Sequence, residues 1–218
     1  MQKINFQYTF GEILIVIIGI TIAFSMNKCA EDSKEARLRT QYLKSLKIDV
    51  ESDKATLKNN VDAIEEKMVL ADEVLPIINT SSTEKMQTIG KIFKIVQLTN
   101  FIPNENTYNT LINSGDLKLI DDFKTKAAIE KHYSNYEILE QSYQRQENIQ
   151  KKYIADYFIY HVDYDDFPNG EFGFKNEALL KNILRSARGS LELKRDATVS
   201  GIKSCDTLIM VIDTELNN

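Results

Sequence analysis

Tryptophan is absent from the 218 residues, and proline (three), glycine (eight), cysteine (two) and histidine (two) are scarce. Few Gly and Pro mean few enforced turns, and charged residues recur through long stretches that hold neither, which is the habit of a helical chain and excludes a turn-rich all-β architecture. Cys29 and Cys205 cannot build a disulfide framework or a four-ligand zinc site, and they read as two free thiols packed as small hydrophobes. Neither His132 nor His161 has a second His or Cys at ligand spacing, so each reads as an ordinary helix or helix-end residue and no metal site is indicated. No P-loop, nucleophile elbow, dinucleotide-binding glycine fingerprint or HExxH zinc motif occurs, so the sequence points to no enzyme, no catalytic residue and no cofactor. The 27 Lys+Arg stand against 32 Asp+Glu, a formal net charge of −5 with no long basic run, which argues against nucleic acid as a partner.

The most distinctive stretch present is apolar: "FGEILIVIIGITIAFSMNK", Phe10 to Lys28. Between Lys3 and Lys28 the only formal charge is Glu12, and Tyr8 to Met26 supplies the roughly 20 residues a helix needs to cross a bilayer core. Phe6, Tyr8 and Phe10 stand where an interfacial aromatic belt belongs, and Asn27 with Lys28 mark the other edge. A cleaved signal peptide ending at "AFS" is the rival reading, but its apolar run would be long and an acid would follow its single lysine. The expected organisation is a short tail at 1–7, a transmembrane helix at 8–27 and an all-helical extramembrane domain at 28–218.

At about 100° per residue, Gly19 and Ala23 return to within roughly 20° of Glu12, with Met26 nearby. Small residues let a second helix approach closely, and ionisable groups in membrane helices face protein or water. Two readings of the stripe Glu12, Gly19, Ala23 and Met26 stand open: it binds a partner helix, or Glu12 snorkels to the headgroups. The bases that follow, Lys28, Lys34, Arg37, Arg39, Lys44 and Lys47, would on a bare count place the large domain in the cytoplasm.

Beyond the apolar segment, Leu43, Leu46, Val50, Asp53, Leu57, Val61, Ile64, Met68, Ala71 and Leu75 step by threes and fours. They predict a long amphipathic helix over about 38–75, ended by Pro76. Asp53 is polar in that seam, marking either a register device or a local turn of the face outward. Ser82 and Thr83 offer an N-cap to a second helix with Ile89, Ile92, Phe93 and Val96 on one face. A short helix at about 105–113 should end at Gly115, Asp121 should cap a helix over about 122–160, and Asn176 a further one to about Arg188. Gly189 and Ser190 are expected to part that helix from a last one carrying Ile202, Cys205, Ile209, Ile212 and Leu216.

The helix over 122–160 is rich in tyrosine. Tyr133, Tyr136, Tyr143, Tyr153 and Tyr157 could cradle a ligand in a groove, but phenols at helical spacing also fill cores. The acidic loop "HVDYDDFPNGE" fails the EF-hand pattern, with Phe167 and Asn176 at ligand positions, and reads as a turn at Pro168, Asn169 and Gly170.

Taken together, "GEILIVIIGITIA" with Asn27 just after it, "YLKSLKIDVESD", and "YNTLINSGDLKLIDD" in mid-chain resemble a family of uncharacterised single-pass bacterial membrane proteins common in Bacteroidota. That resemblance spans most of the chain. It implies an N-terminal membrane helix carrying an all-helical domain, set in the inner membrane with the domain on the periplasmic side, and it implies no established activity. The expected class is all-α, a transmembrane helix followed by a helical bundle with long amphipathic helices. Expected partners are the membrane and either another membrane protein or a second copy through the apolar helix; the alternative is a small-ligand sensor acting through a membrane partner.

Overall fold

The computed structural model of the chain describes residues 6–80 and 83–217, with side chains from Phe10 onward. Its first helix, α1 (Phe6–Val74), is one unbroken element of 69 residues, about 100 Å long at 1.5 Å per residue. The predicted seam is its second half: Leu43, Leu46, Val50, Leu57, Ile64, Met68 and Ala71 are buried. The apolar period starts near residue 38 because burial starts there, whereas the helix itself reaches back to Phe6. Residues 28–37, "KCAEDSKEAR", are exposed all round, yet hold no Gly or Pro to stop the helix. Cys29 is accordingly exposed, contrary to the expected packing, while Cys205 is a buried free thiol.

After α1, a short α2 (Glu84–Gln87) leads into α3 (Ile89–Val96). Ser82 lies outside the described residues, and Thr83 at the N-cap position makes no side-chain cap hydrogen bond. Lys91 pairs with Glu73 at 2.7 Å and Lys94 with Glu66, so α3 runs antiparallel to α1. Next, α4 (Asn106–Asn113) is followed by Gly115 at φ +74° and a 3-10 turn, Asp116–Leu119; the left-handed glycine is where the spacing placed it.

Asp122, rather than Asp121, caps α5 (Phe123–Ile149), its Oδ2 accepting from the Thr125 N–H and hydroxyl, both at 2.8 Å. Asp121 instead reaches Arg39 at 3.4 Å. A π turn, Gln150–Ile154, carries α5 into α6 (Ala155–Tyr160). Residues 161–176 then double back: the Asp163 N–H donates to the Gly173 carbonyl at 2.8 Å and the Lys175 N–H to the His161 carbonyl at 2.7 Å. Gly173 sits at φ +62°, and a Cβ there would lie 2.3 Å from the Phe167 ring, so no other residue fits.

The last helix, α7 (Glu177–Leu216), begins at Asn176, whose side chain accepts from the Leu179 N–H at 3.3 Å. Gly189 and Ser190 lie inside it and divide nothing. A mid-helix glycine costs about 1 kcal/mol, less than the packing of Leu184, Ala187 and Leu191 on either side, all buried, holds in place.

Three long helices make the bundle. Lys47 pairs with Asp213, Lys54 with Asp206 and Asp72 with Arg188, so α7 descends as α1 rises. Asp53 meets Tyr136 and Asn60 meets Tyr143, so α5 runs parallel to α1. The end the apolar segment enters is built on Leu43, Leu46, Val50, Tyr133, Tyr136, Leu208 and Ile212. The far end is built on Ala71, Val74, Ile92, Ile95, Tyr157, Phe174 and Leu180. Within the near core, Gly201 lets α7 close on its neighbours: a Cβ there would stand 3.2 Å from both Leu57 and Leu139. Among the described residues there is no strand, only the single bridge Val162–Phe174.

Candidate functional site

Glu12, Gly19, Ala23 and Met26 are all exposed on the part of α1 that precedes the bundle. That segment is long and apolar enough to cross a membrane, and none of its apolar window is buried against the rest of the chain. A Cβ added at Gly19 would meet nothing within 4 Å. Among the described residues, the glycine therefore serves no packing.

The five tyrosines do not form one wall. Tyr133, Tyr136 and Tyr143 share the near core, Tyr157 lies in the far core, and Tyr153 is 51% exposed on the surface. Their hydroxyls are largely spent inside: Tyr136 donates to Asp53 at 2.7 Å, Tyr143 lies 3.1 Å from both Thr198 Oγ1 and Asn60 Nδ2, and Tyr157 donates to the Lys175 carbonyl at 2.5 Å. The Tyr133 ring stacks on Tyr108 at 4.0 Å, and its hydroxyl has no partner among the described residues. Burial holds all four buried phenols above their usual range.

A polar line that the sequence reading did not find runs up α1. Asp53, Asn60 and Lys67 are spaced by seven, which places them on one face, and all three reach the connection between α3 and α4. Asp53 accepts from the Asn104 backbone N–H at 3.1 Å and from its side-chain amide at 2.6 Å. The Asn60 amide donates to the Asn100 carbonyl at 3.0 Å. Lys67 donates to the Gln97 carbonyl and the Thr99 hydroxyl, each at 2.7 Å. From α7, Lys194 adds a bond to the Thr99 carbonyl at 2.5 Å and another to Gln146, with its ammonium 3.9 Å from the centre of the Tyr143 ring.

The connection thus finds in α1 and α7 the partners that regular secondary structure would have supplied. Asp53 is 1% exposed, so it does not turn outward; it binds a loop and, through Tyr136, α5. Desolvation holds its carboxyl above the usual range against the hydrogen bonds from Tyr136 and Asn104. Desolvation also lowers Lys67 and, with the Lys67 charge nearby, lowers Lys194 to about 7. The seven-residue spacing of polar residues beside an apolar seam was the available signal.

A second polar group sits between α5 and α7. His132 Nδ1 and Ser204 Oγ lie 2.9 Å apart, and Asn135 donates to the same hydroxyl at 3.2 Å. Burial lowers His132 to about 4, and its Nε2 has no partner among the described residues. A groove of about 360 Å³ opens beside it, with Lys131, Lys203 and Thr207 on its walls. Cys205, 3.9 Å from the Tyr136 hydroxyl, is pushed up to about 11 by burial, which makes it a packed thiol and a poor nucleophile. In the acidic loop, Asp166 pairs with Lys175 and Asp163 accepts from the Asp165 N–H at 3.1 Å.

The family model of DUF6090, a family of unknown function, matches residues 12–153. The match opens at Glu12 and takes in the rest of the stripe, the polar line of α1, the connection it binds and all of α5. No curated protein and no solved structure matches the chain.

Proposed function

The chain belongs to the DUF6090 family, and on that footing we propose that it is a non-enzymatic, single-pass protein of the bacterial inner membrane. Its helical bundle stands on the periplasmic side, and it acts as a structural or accessory subunit by pairing through its membrane helix. One observation carries this reading: among the described residues, the apolar window of α1 is buried against nothing else in the chain. A glycine and an alanine on the face of the only acid, with no internal use for them, are the complement of a second helix. Because α1 is continuous from Phe6 to Val74, whatever grips the apolar segment also sets the position of the bundle.

The small-ligand alternative draws its support from the groove beside His132 and Ser204, since the hydroxyls of Tyr136, Tyr143 and Tyr157 are bonded inside the bundle. Purification of wild type and Glu12→Leu from mild detergent tests the proposal. The wild type should bring out a second membrane chain or a second copy, and Glu12→Leu should lose it. A wild type that elutes alone and monomeric overturns the pairing.

A further inference from the structure

We infer that the groove between α5 and α7 binds a small oxyanion from solution, the phosphate or carboxylate group of a solute. Its floor is built from buried polar groups: His132 is 1% exposed, its Nδ1 lies 2.9 Å from the Ser204 hydroxyl, and Asn135 donates to that same oxygen at 3.2 Å. Burial keeps the imidazole neutral, so it carries one N–H beside the one O–H of Ser204, and a single hydrogen fills the contact between Nδ1 and Oγ. Either the serine donates and an Nε2–H is left over, or Nδ1–H donates and the serine hydroxyl is left over. Among the described residues nothing accepts the spare hydrogen. Nε2 has no partner, and Ser204 does not bond back into α7 as Thr198 and Thr207 do, to the carbonyls of Lys194 and Lys203 at 2.7 and 2.8 Å.

His132, Asn135 and Ser204 all line the groove, and its walls add Lys131 and Lys203 but no carboxylate. Among the described residues neither lysine is in an ion pair, whereas Lys54, at the same height on α1, holds Asp206. A spare donor on the floor and two unpaired ammoniums beside it call for an acceptor that carries negative charge. The volume of about 360 Å³ lies at the small end of ligand pockets. Tyr136 ties this level of α5 to Asp53, which at 1.5 Å per residue stands about 37 Å past Lys28. On the reading of the apolar segment as a membrane helix, that height is far beyond the headgroups, so the anion is a dissolved one. The groove is otherwise independent of the pairing through that helix.

With only two histidines in the chain, the imidazole of His132 is its own probe. The full chain, labelled with nitrogen-15 at histidine and held in detergent micelles at about pH 7, receives inorganic phosphate or acetate, against sodium chloride of equal ionic strength. The ring nitrogens are followed by NMR, with His161→Gln assigning the His132 signals. Phosphate or acetate should move the His132 signals saturably and leave those of His161 in place. Lys131→Gln combined with Lys203→Gln, both on the surface, should raise the half-saturating concentration about tenfold with the melting transition unchanged. No movement of the His132 signals with either anion, or the same half-saturation in the double variant, overturns the site. Neither result touches the pairing, which is read by co-purification.

Discussion

The Tyr136 hydroxyl donates to the Asp53 carboxylate at 2.7 Å, joining α5 to α1 from positions 83 residues apart. The same carboxylate takes the Asn104 N–H and side-chain amide, so one buried acid ties two helices and a loop. Asp53→Asn keeps the shape but turns a donor toward donors, and should cost about 2–3 kcal/mol. Tyr136→Phe should cost about 1–2 kcal/mol, and the double variant should cost less than the sum because the two share one bond. Urea unfolding of the detergent-solubilised chain measures all three.

His132 is neutral in the fold and lowered from 6.5 to about 4 by burial. A group lowered in the folded state leaves stability intact above its unfolded value and takes it away as the pH falls toward its folded one. Stability should therefore drop between pH 6.5 and 4, by at most about 3 kcal/mol. His132→Gln should flatten that limb in melting curves taken across the range.

Lys194 gives the opposite end of the pH scale. Lowered from 10.5 to about 7 by burial and by the charge of Lys67, it is protonated more readily unfolded than folded between those values. Stability should rise as the pH climbs from 7 toward 10, by up to about 1.4 kcal/mol per pH unit, before the buried tyrosines begin to oppose it. Lys194→Met should reduce the slope, as read by melting temperature against pH.

The two glycines of α7 should respond in opposite directions. Gly189 faces open space, so Gly189→Ala should stabilise by about 0.5–1 kcal/mol through helix propensity alone. Gly201 lies against Leu57 and Leu139, so Gly201→Leu should overpack the crossing and cost about 1–3 kcal/mol. Thermal unfolding of the two variants beside wild type checks both signs.

What was legible in the sequence follows the physics of each feature. The seam from Leu43 to Ala71 could be read because burial on one face leaves a period of threes and fours. The caps at Gly115 and Asn176 could be read because few residues accept their backbone geometry. The continuity of α1 through residues 28–37 could not, since an exposed helix carries no apolar period. Gly189 and Ser190 misled in the same way, because a residue that weakens a helix does not end one that is packed along its length. The tyrosines were legible as helical, but their hydroxyl partners lie on α1, on α7 and in the loop before α7, at distances in sequence that no spacing on α5 records. Asp53 stood out as polar in an apolar seam, yet its meaning lay in a loop without periodicity. Only the sevenfold spacing to Asn60 and Lys67 pointed there.

The central claim is that the apolar part of α1 meets another helix through the face of Glu12, and disulfide cross-linking in native membranes tests it most directly. With Cys29 and Cys205 replaced by serine, single cysteines at Gly19 and Ala23 lie within about 20° of Glu12, and those at Leu14 and Thr21 lie about 160–180° away. Oxidation should yield adducts heavier than the 25.0 kDa chain at positions 19 and 23 and none at 14 and 21. Equal cross-linking at all four positions, or none at 19 and 23 even when a benzophenone maleimide carried on those cysteines is irradiated, would contradict the account.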